Sequence, residues 1–390
     1  MNSKVVGAVL ALGTVLGLGG GLAWWFNGQT QQTKAEPKVS SSSIVRQVKP
    51  KKKAPAKKRK LAPAATTRQI DAVLQANRFV GTALVVHHGQ TIYQQGWGYA
   101  DAANRQKNHV NSVYQLASIQ KSFTAGLLMK LVGENKVALS DPLSKYYPQI
   151  AGSNQITLRE MLDMKSGLVL TAFPNSIRTE QQMIKFILNN VISQPTKIGR
   201  WHYSPVNFML LAGIIQKVSG ESYQDYFTQN IIDAGNLQHS GFVFDMANRS
   251  DYSQGYTNSK TGSVLPTYDT EYGESKLSML YQFGTGQVYM SVNDLFQAER
   301  NMLLGKVYPQ KDVNVLLVPG SASMYGGGLY VYPTYVRGHG LAYGYEATFL
   351  LSKDGQDGVV LLSNYYRANQ LSQTAAIQLW NLLEGGNLGK

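Results

Sequence analysis

Residues 114–130 read YQLASIQKSFTAGLLMK and set a hydroxyl, Ser118, three positions before an amine, Lys121. Residues i and i+3 share a helix face, so at a first helical turn the amine can reach the hydroxyl. The flanking Leu116, Phe123, Leu127 and Leu128 are apolar and predict a buried turn. Burial disfavours an ammonium, lowers its pKa and lets it accept a proton near neutrality. A hydroxyl becomes a useful nucleophile only with such a base beside it. The helix N-terminus adds free N–H groups and a positive dipole end, both favourable to an oxyanion. The chemistry on offer is acyl transfer. Two common residues at this spacing also fit a capping serine followed by a solvated lysine, so the surrounding elements must decide.

Those elements begin late in the chain. Residues 5–26, VVGAVLALGTVLGLGGGLAWWF, form an uncharged run of 22. That length suffices to cross a hydrocarbon core of about 30 Å, and Trp24, Trp25 and Phe26 suit an interface. The length favours an uncleaved anchor over a signal peptide cut near Thr33-Lys34-Ala35. Residues 27–68 are rich in Gln, Thr, Ser, Ala, Pro and Lys and read as a disordered linker. Nine basic residues and no acid fall in 46–60, which suits an extended spacer and equally a clamp on anionic lipid or polyphosphate wall polymer.

The net charge of +14 is confined to this tail. Residues 1–68 carry a net +12, leaving +2 for the remaining 322 residues. This argues against a basic nucleic-acid groove in the folded part. The chain has no cysteine, which removes disulfides, thiolate nucleophiles and thiolate metal sites. No HExxH or comparable spacing points to a metal.

From residue 69 to 390 the sequence is globular. TRQIDAVLQANRF is helical in period, and GTALVVHHGQTIYQQGWGYAD reads as a hairpin turning at His88-Gly89. Helical patterns dominate from about 118 to 235. YGGGLYVYP, YEATFLLSKDG and GVVLLSNY are strand-like, and a helix at about 370–384 closes the chain. The glycines of YGGGLY lack a dinucleotide-binding pattern and predict a strand that needs close backbone approach. Strands at both ends around a helical middle predict an α+β domain: one antiparallel sheet flanked by helices, with an inserted all-helical lobe.

Several blocks in this order resemble the serine β-lactamase and penicillin-binding-protein-like hydrolases, closest to their class C β-lactamase, DD-peptidase and esterase branch. The blocks are SVYQLASIQKSFTAGLLMK, ITLREMLDMKSGL (156–168), WHYSPVNFMLLAGIIQKVSGESYQDY (201–226), GTGQVYMSVNDL (284–295) and RGHGLAYGYEATFLLSKDG (337–355). The resemblance implies Ser118 as acylated nucleophile, Lys121 as base and Tyr203 as proton relay, with no cofactor. A cationic pocket would ease ionisation of that tyrosine. It also implies a second oxyanion donor at Ala342 N–H, beside His339 and Gly340 of the third motif.

Two departures bear on substrate. The second motif reads Tyr203-Ser204-Pro205, where the family has an Asn amide, and Asn207 is out of register for that role. The third, Lys-Thr-Gly or His-x-Gly in the family, reads His339-Gly340-Leu341, without the strand lysine and threonine and with Arg337 and His339 as partial substitutes for holding a substrate carboxylate. Both losses fall on recognition and leave ester hydrolysis open. The expected activity is D-alanyl ester hydrolysis on a (lipo)teichoic acid or related wall polymer. It is placed at the outer membrane face of a Gram-positive-like cell, held by the N-terminal helix and basic linker. A DD-carboxypeptidase, a β-lactamase and a non-catalytic wall-binding protein are the alternatives. His87, His88, His109 and His239 read as turn or loop residues, and His202 as an ordinary histidine beside Tyr203.

Overall fold

The computed structural model describes residues 63–258 and 265–388. The apolar run at 5–26 and the basic stretch at 46–60 lie outside the described residues. Among those described, no helix is long and apolar enough to cross a membrane.

Helix α1 (Ala64–Ala76) leads into strands β1 (Gly81–His87) and β2 (Gln90–Trp97). They join at the expected turn, where His88 and Gly89 have φ of 49° and 71°. The middle of the chain supplies α2 (Gln120–Gly133), α3 (Glu180–Asn190), α4 (Val206–Ser219) and α5 (Val292–Leu303). Then follow β3 (Tyr325–Gly326), β4 (Leu329–Val331), β5 (Tyr335–Ala342), β6 (Tyr345–Ser352), β7 (Gly358–Ser363) and α6 (Ser372–Glu384). The two ends of the domain build one seven-stranded sheet, β3-β4-β5-β6-β7-β1-β2, antiparallel throughout. The α+β expectation holds.

Strand alternation sorts the sheet's two faces. Ala83, Val85, Leu350, Val359 and Leu361 pack under α1 and α6, against Ile70, Leu74, Ala376, Leu379 and Trp380. The intervening Leu84, Val86, Phe349, Leu351, Val360 and Leu362 join the larger core of the helical lobe. Strands covered on both faces must read as continuous apolar runs, which is why ALVV and TFLL show little polar alternation. Helix α2 is enclosed in the same way, with 11 of its 14 residues buried. An apolar surface all round marks a central helix, and α2 packs on α4 within the lobe.

Two glycines set α2 against the sheet. A Cβ on Gly328, whose φ is +88°, would lie 2.7 Å from the carbonyl carbon of Lys121. A Cβ on Gly340 in β5 would lie 2.2 Å from Leu116 O. Real side chains are not found at such separations from backbone, so glycine is required at both places. The close approach expected of YGGGLY is thus the approach of the sheet to the first turn of α2.

Candidate active site

Ser118 lies in a 3-10 turn, Ala117–Ile119, that runs directly into α2. Ala117 before it has φ +47°, a left-handed conformation that costs an alanine about 1–2 kcal/mol. The surroundings impose it: Leu116 N–H donates to Val288 O at 2.8 Å, and the turn is pressed between the short strand Val288–Met290 and β5. Strain held immediately before a candidate nucleophile fixes the direction of its side chain.

Three side chains meet at this point. Lys121 Nζ lies 2.8 Å from Ser118 Oγ, and Tyr203 OH donates to the same oxygen at 3.0 Å. Lys121 Nζ also stands 5.2 Å from the centre of the Tyr203 ring. The lysine is 1% exposed, and burial alone brings its pKa down to about 7. Half of the amine is therefore neutral near pH 7 and able to take the serine proton. Ser118 itself is partly exposed, as a residue that meets substrate must be.

Tyr203 departs from expectation in its ionisation. Its hydroxyl is pushed up to about 12 by burial, with the bond to Ser118 pulling weakly the other way. The cationic pocket anticipated for it does not outweigh burial, so Tyr203 is a protonated phenol that donates. Pro205 caps the start of α4, where its missing N–H costs nothing. Asn207 is buried, accepts from Ser166 Oγ and donates to Ser204 O at 3.0 Å, so its amide is used within the protein.

Strand β5 closes the other side of the site. Its pairing with β4 ends at Arg337, while its pairing with β6 continues to Ala342, so residues 338–342 present one free edge. Lys353 N–H donates to Thr334 O, and Tyr332 N–H donates to Tyr335 O. Even-numbered residues of β5 therefore bond toward β6 and odd-numbered ones toward β4 and the free edge. The two-residue turn at Tyr343 and Gly344, φ 45° and 84°, gives the same assignment, because it makes Ala342 and Tyr345 a hydrogen-bonded pair. Ala342 N–H thus points to β6 and away from Ser118. The backbone N–H aimed out of the edge beside Gly340 is that of Leu341, one residue earlier than expected.

His339 and Arg337 are likewise not gathered around Ser118. Their side chains lie on the strand face opposite to that of Gly340. His339 Nε2 is 3.2 Å from Glu346 Oε1. Glu346 is 1% exposed, and it also accepts from Ser372 N–H at 2.7 Å, Ser372 Oγ at 2.8 Å and Gln373 N–H at 3.1 Å. These bonds at the first turn of α6, with His339, hold its carboxyl below the usual range against the cost of burial. Arg337 stacks its guanidinium 4.7 Å from the Tyr330 ring and 5.8 Å from that of Tyr332.

A second carboxyl lies behind the site. Glu299 on α5 is 1% exposed, and burial pushes it up to about 8. Its Oε1 is 2.5 Å from Ser122 Oγ, which also donates to Ile119 O at 2.8 Å. One hydroxyl hydrogen cannot serve both, so Glu299 is the protonated partner and donates to Ser122. Neither Glu346 nor Glu299 was legible as a site residue, although a lone acid inside the apolar run YEATFLL was a usable signal. Of the remaining histidines, His202 is exposed and His239 Nδ1 bonds Asp251 Oδ2 at 2.6 Å. His87, His88 and Asp357 cluster at two hairpin ends with ligand atoms within 4.8 Å of one another. They belong to β1, the turn after it and the approach to β7, remote in sequence from the Ser118 turn.

Residues 66–384 match the Beta-lactamase family. The chain is 32% identical over 348 residues to a Bacillus subtilis (strain 168) protein named as a putative penicillin-binding protein, PbpX, spanning 89% of this chain and 85% of that one. It is 30% identical over 283 residues to a teichoic acid D-alanine hydrolase of Staphylococcus aureus (strain MRSA252), spanning 71% and 68% respectively. The crystal structure of FmtA from Staphylococcus aureus is similar with a TM-score of 0.73 at 26% identity, covering 87% of this chain and 92% of that one. With the fold, the matched span and the Ser118 turn in agreement, the chain belongs to the beta-lactamase family of penicillin-binding-protein-like serine hydrolases.

Proposed function

We propose that the protein hydrolyses D-alanyl esters on a teichoic-acid-type polymer through an acyl-enzyme on Ser118. The observation that carries this reading is the pairing of a complete acyl-transfer set, Ser118, Lys121 and Tyr203, with a second motif that lacks a free side-chain amide. Neutral Lys121 takes the Ser118 proton as Oγ attacks the ester carbonyl. The tetrahedral oxyanion is met by the N–H groups of Ser118 and Leu341. Lys121, now an ammonium, returns a proton through the Tyr203 hydroxyl to the departing alkoxide, which leaves as the polymer alcohol. Water then attacks the acyl carbon, giving its proton to the same pair, and free D-alanine departs with Ser118 restored.

An alkoxide leaves more readily than an amine and demands less positioning, which suits a site whose amide-recognising asparagine is replaced by Pro205. The 30% identity with a protein named teichoic acid D-alanine hydrolase supports the same substrate. The apolar run at 5–26 serves as a membrane anchor with the hydrolase domain outside, and the basic linker follows the anionic polymer.

The test is incubation with purified D-alanylated lipoteichoic acid and, separately, with a muropeptide pentapeptide, measuring free D-alanine from each. Release from the polymer alone, abolished in Ser118→Ala, is the expected result. Release from the pentapeptide with the polymer untouched makes the protein a DD-carboxypeptidase, the reading favoured by the similarity to a protein named for penicillin binding.

A further inference from the structure

The geometry points to an anion subsite on β5, centred on Arg337, that takes a backbone phosphodiester of the polymer. This inference rests on the ester-hydrolase reading and names what that site recognises beyond the reacting group.

Arg337 and His339 are two residues apart on one strand and so share a face. Among the described residues Arg337 has no carboxylate partner, and its Nε is buried without a hydrogen-bond acceptor. Burying an unsatisfied guanidinium nitrogen is costly. Here the group is held in place by ring stacking on Tyr330 and Tyr332, which orients the planar donor fork without using its N–H groups.

His339 is oriented by different means. Glu346 is ionised and can only accept, so Nε2 carries the hydrogen that points to it. Nδ1 takes no part in that bond, and the side chain keeps 18% of its surface exposed. The buried carboxylate, fixed by the first turn of α6, holds the imidazole in one orientation on the strand face it shares with Arg337. Across the strand from His339, Thr348 holds a buried hydroxyl that also has no partner.

The position selects the ligand. A D-alanyl ester carries an ammonium on its acyl side and no carboxylate, so its anions are the phosphodiesters on the alcohol side. Arg337 is three residues from Gly340, roughly 10 Å along the strand from the point where β5 meets the Ser118 turn. It connects back to the site through rings: Tyr330 lies 5.4 Å from Tyr325, and Tyr325 lies 5.9 Å from Tyr203. An arginine fork is suited to phosphate oxygens, and stacking on aromatic rings pre-orients it.

The experiment uses the full chain with two probes. The first is glycerol-phosphate polymer stripped of D-alanine, bound to Ser118→Ala protein and followed by calorimetry. The second is a pair of substrates, D-alanylated polymer and phosphate-free D-alanyl glycerol. Arg337→Gln in the Ser118→Ala background weakens stripped-polymer binding by about tenfold and flattens its salt dependence. On active enzyme, Arg337→Gln raises KM for the polymer while kcat/KM for D-alanyl glycerol stays within about twofold. Equal losses on both substrates, or unchanged binding of stripped polymer, overturn the subsite. The binding arm decides the inference even where neither ester is cleaved, an outcome that sinks the ester-hydrolase reading alone. Thermal melts of Arg337→Gln in both backgrounds within a few degrees of the parent confirm that the fold is intact.

Discussion

A methyl group on Gly340 would lie 2.8 Å from the backbone nitrogen of Ser118. Strand β5 and the nucleophile turn are therefore in contact through backbone, with no side chain between them. Gly340→Ala must push the strand back, because the atoms it meets are backbone and cannot rotate away. The displacement widens the gap between the N–H groups of Ser118 and Leu341, and misplacement by about 1 Å can cost 100-fold in rate. We expect kcat to fall by about that factor, with a lowered Tm. Unchanged kcat in a folded variant would show that β5 takes no part in stabilising the oxyanion.

Lys121 should impose an ascending limb on the pH–rate profile. Its folded pKa is about 7, so the neutral base becomes available as pH rises through that value. Acylation measured by burst kinetics should follow one ionisation near pH 7, and Lys121→Arg should lose about 10³-fold or more. The unfolded lysine keeps its proton up to about 10.5 while the folded one releases it near 7. Stability therefore rises with pH across that interval and is lowest below it. Lys121→Met should be inactive yet more stable than the parent at pH 6, by denaturant unfolding, by on the order of a few kcal/mol.

The protonated Tyr203 predicts a leaving-group effect. Tyr203→Phe removes the donor 3.0 Å from Ser118 Oγ and leaves packing nearly intact. For a glycerol ester, kcat should drop by about 10²–10⁴-fold. For a p-nitrophenyl ester, whose leaving group needs no proton, the loss of acylation rate should be much smaller. Equal losses on the two esters would assign the tyrosine to positioning instead of proton transfer.

Glu299 carries the opposite stability slope. Folded, it holds its proton to about 8; unfolded, it releases it at the ordinary value of 4.5. Its stabilising contribution is full below the unfolded value and is lost as pH rises through about 8. Glu299→Gln keeps an N–H donor for Ser122 and cannot ionise. At pH 9 the variant should be more stable than the parent, and at pH 5 close to it, in urea melts. A parent-like pH dependence in the variant would place the titration elsewhere.

The sequence made Ser118 and Lys121 legible because both the pair and its apolar flanks are local. It made the sheet legible because strands covered on both faces read as unbroken apolar runs, and it made YGGGLY legible because glycine there has no side chain to hide. Three things were not local. Ser122 and Glu299 are 177 positions apart, so nothing near either residue announces their bond. The partner of His339 lies across a hairpin on β6, and the groups that fix that partner come from the first turn of a helix near residue 372. The direction of the Ala342 N–H depends on pairing parity, which only the three-dimensional register supplies. The fold brings the Tyr203 hydroxyl to Ser118 Oγ, but burial pushes it up instead of easing its ionisation, and burial depends on neighbours far away in the chain.

The two-residue turn at Tyr343-Gly344 has a consequence for how this enzyme could change over evolutionary time. Most loops around a binding site can gain or lose residues and merely reshape its walls. Adding one residue to this turn, or slipping β5 by one against β6, would rotate every amide of the strand by half a turn. The free edge would then offer Ala342 in place of Leu341, and the groups on the Ser118 side would exchange with those under α6. Length variation at this hairpin should therefore be tolerated in steps of two, a parity constraint written into a stretch that touches no substrate.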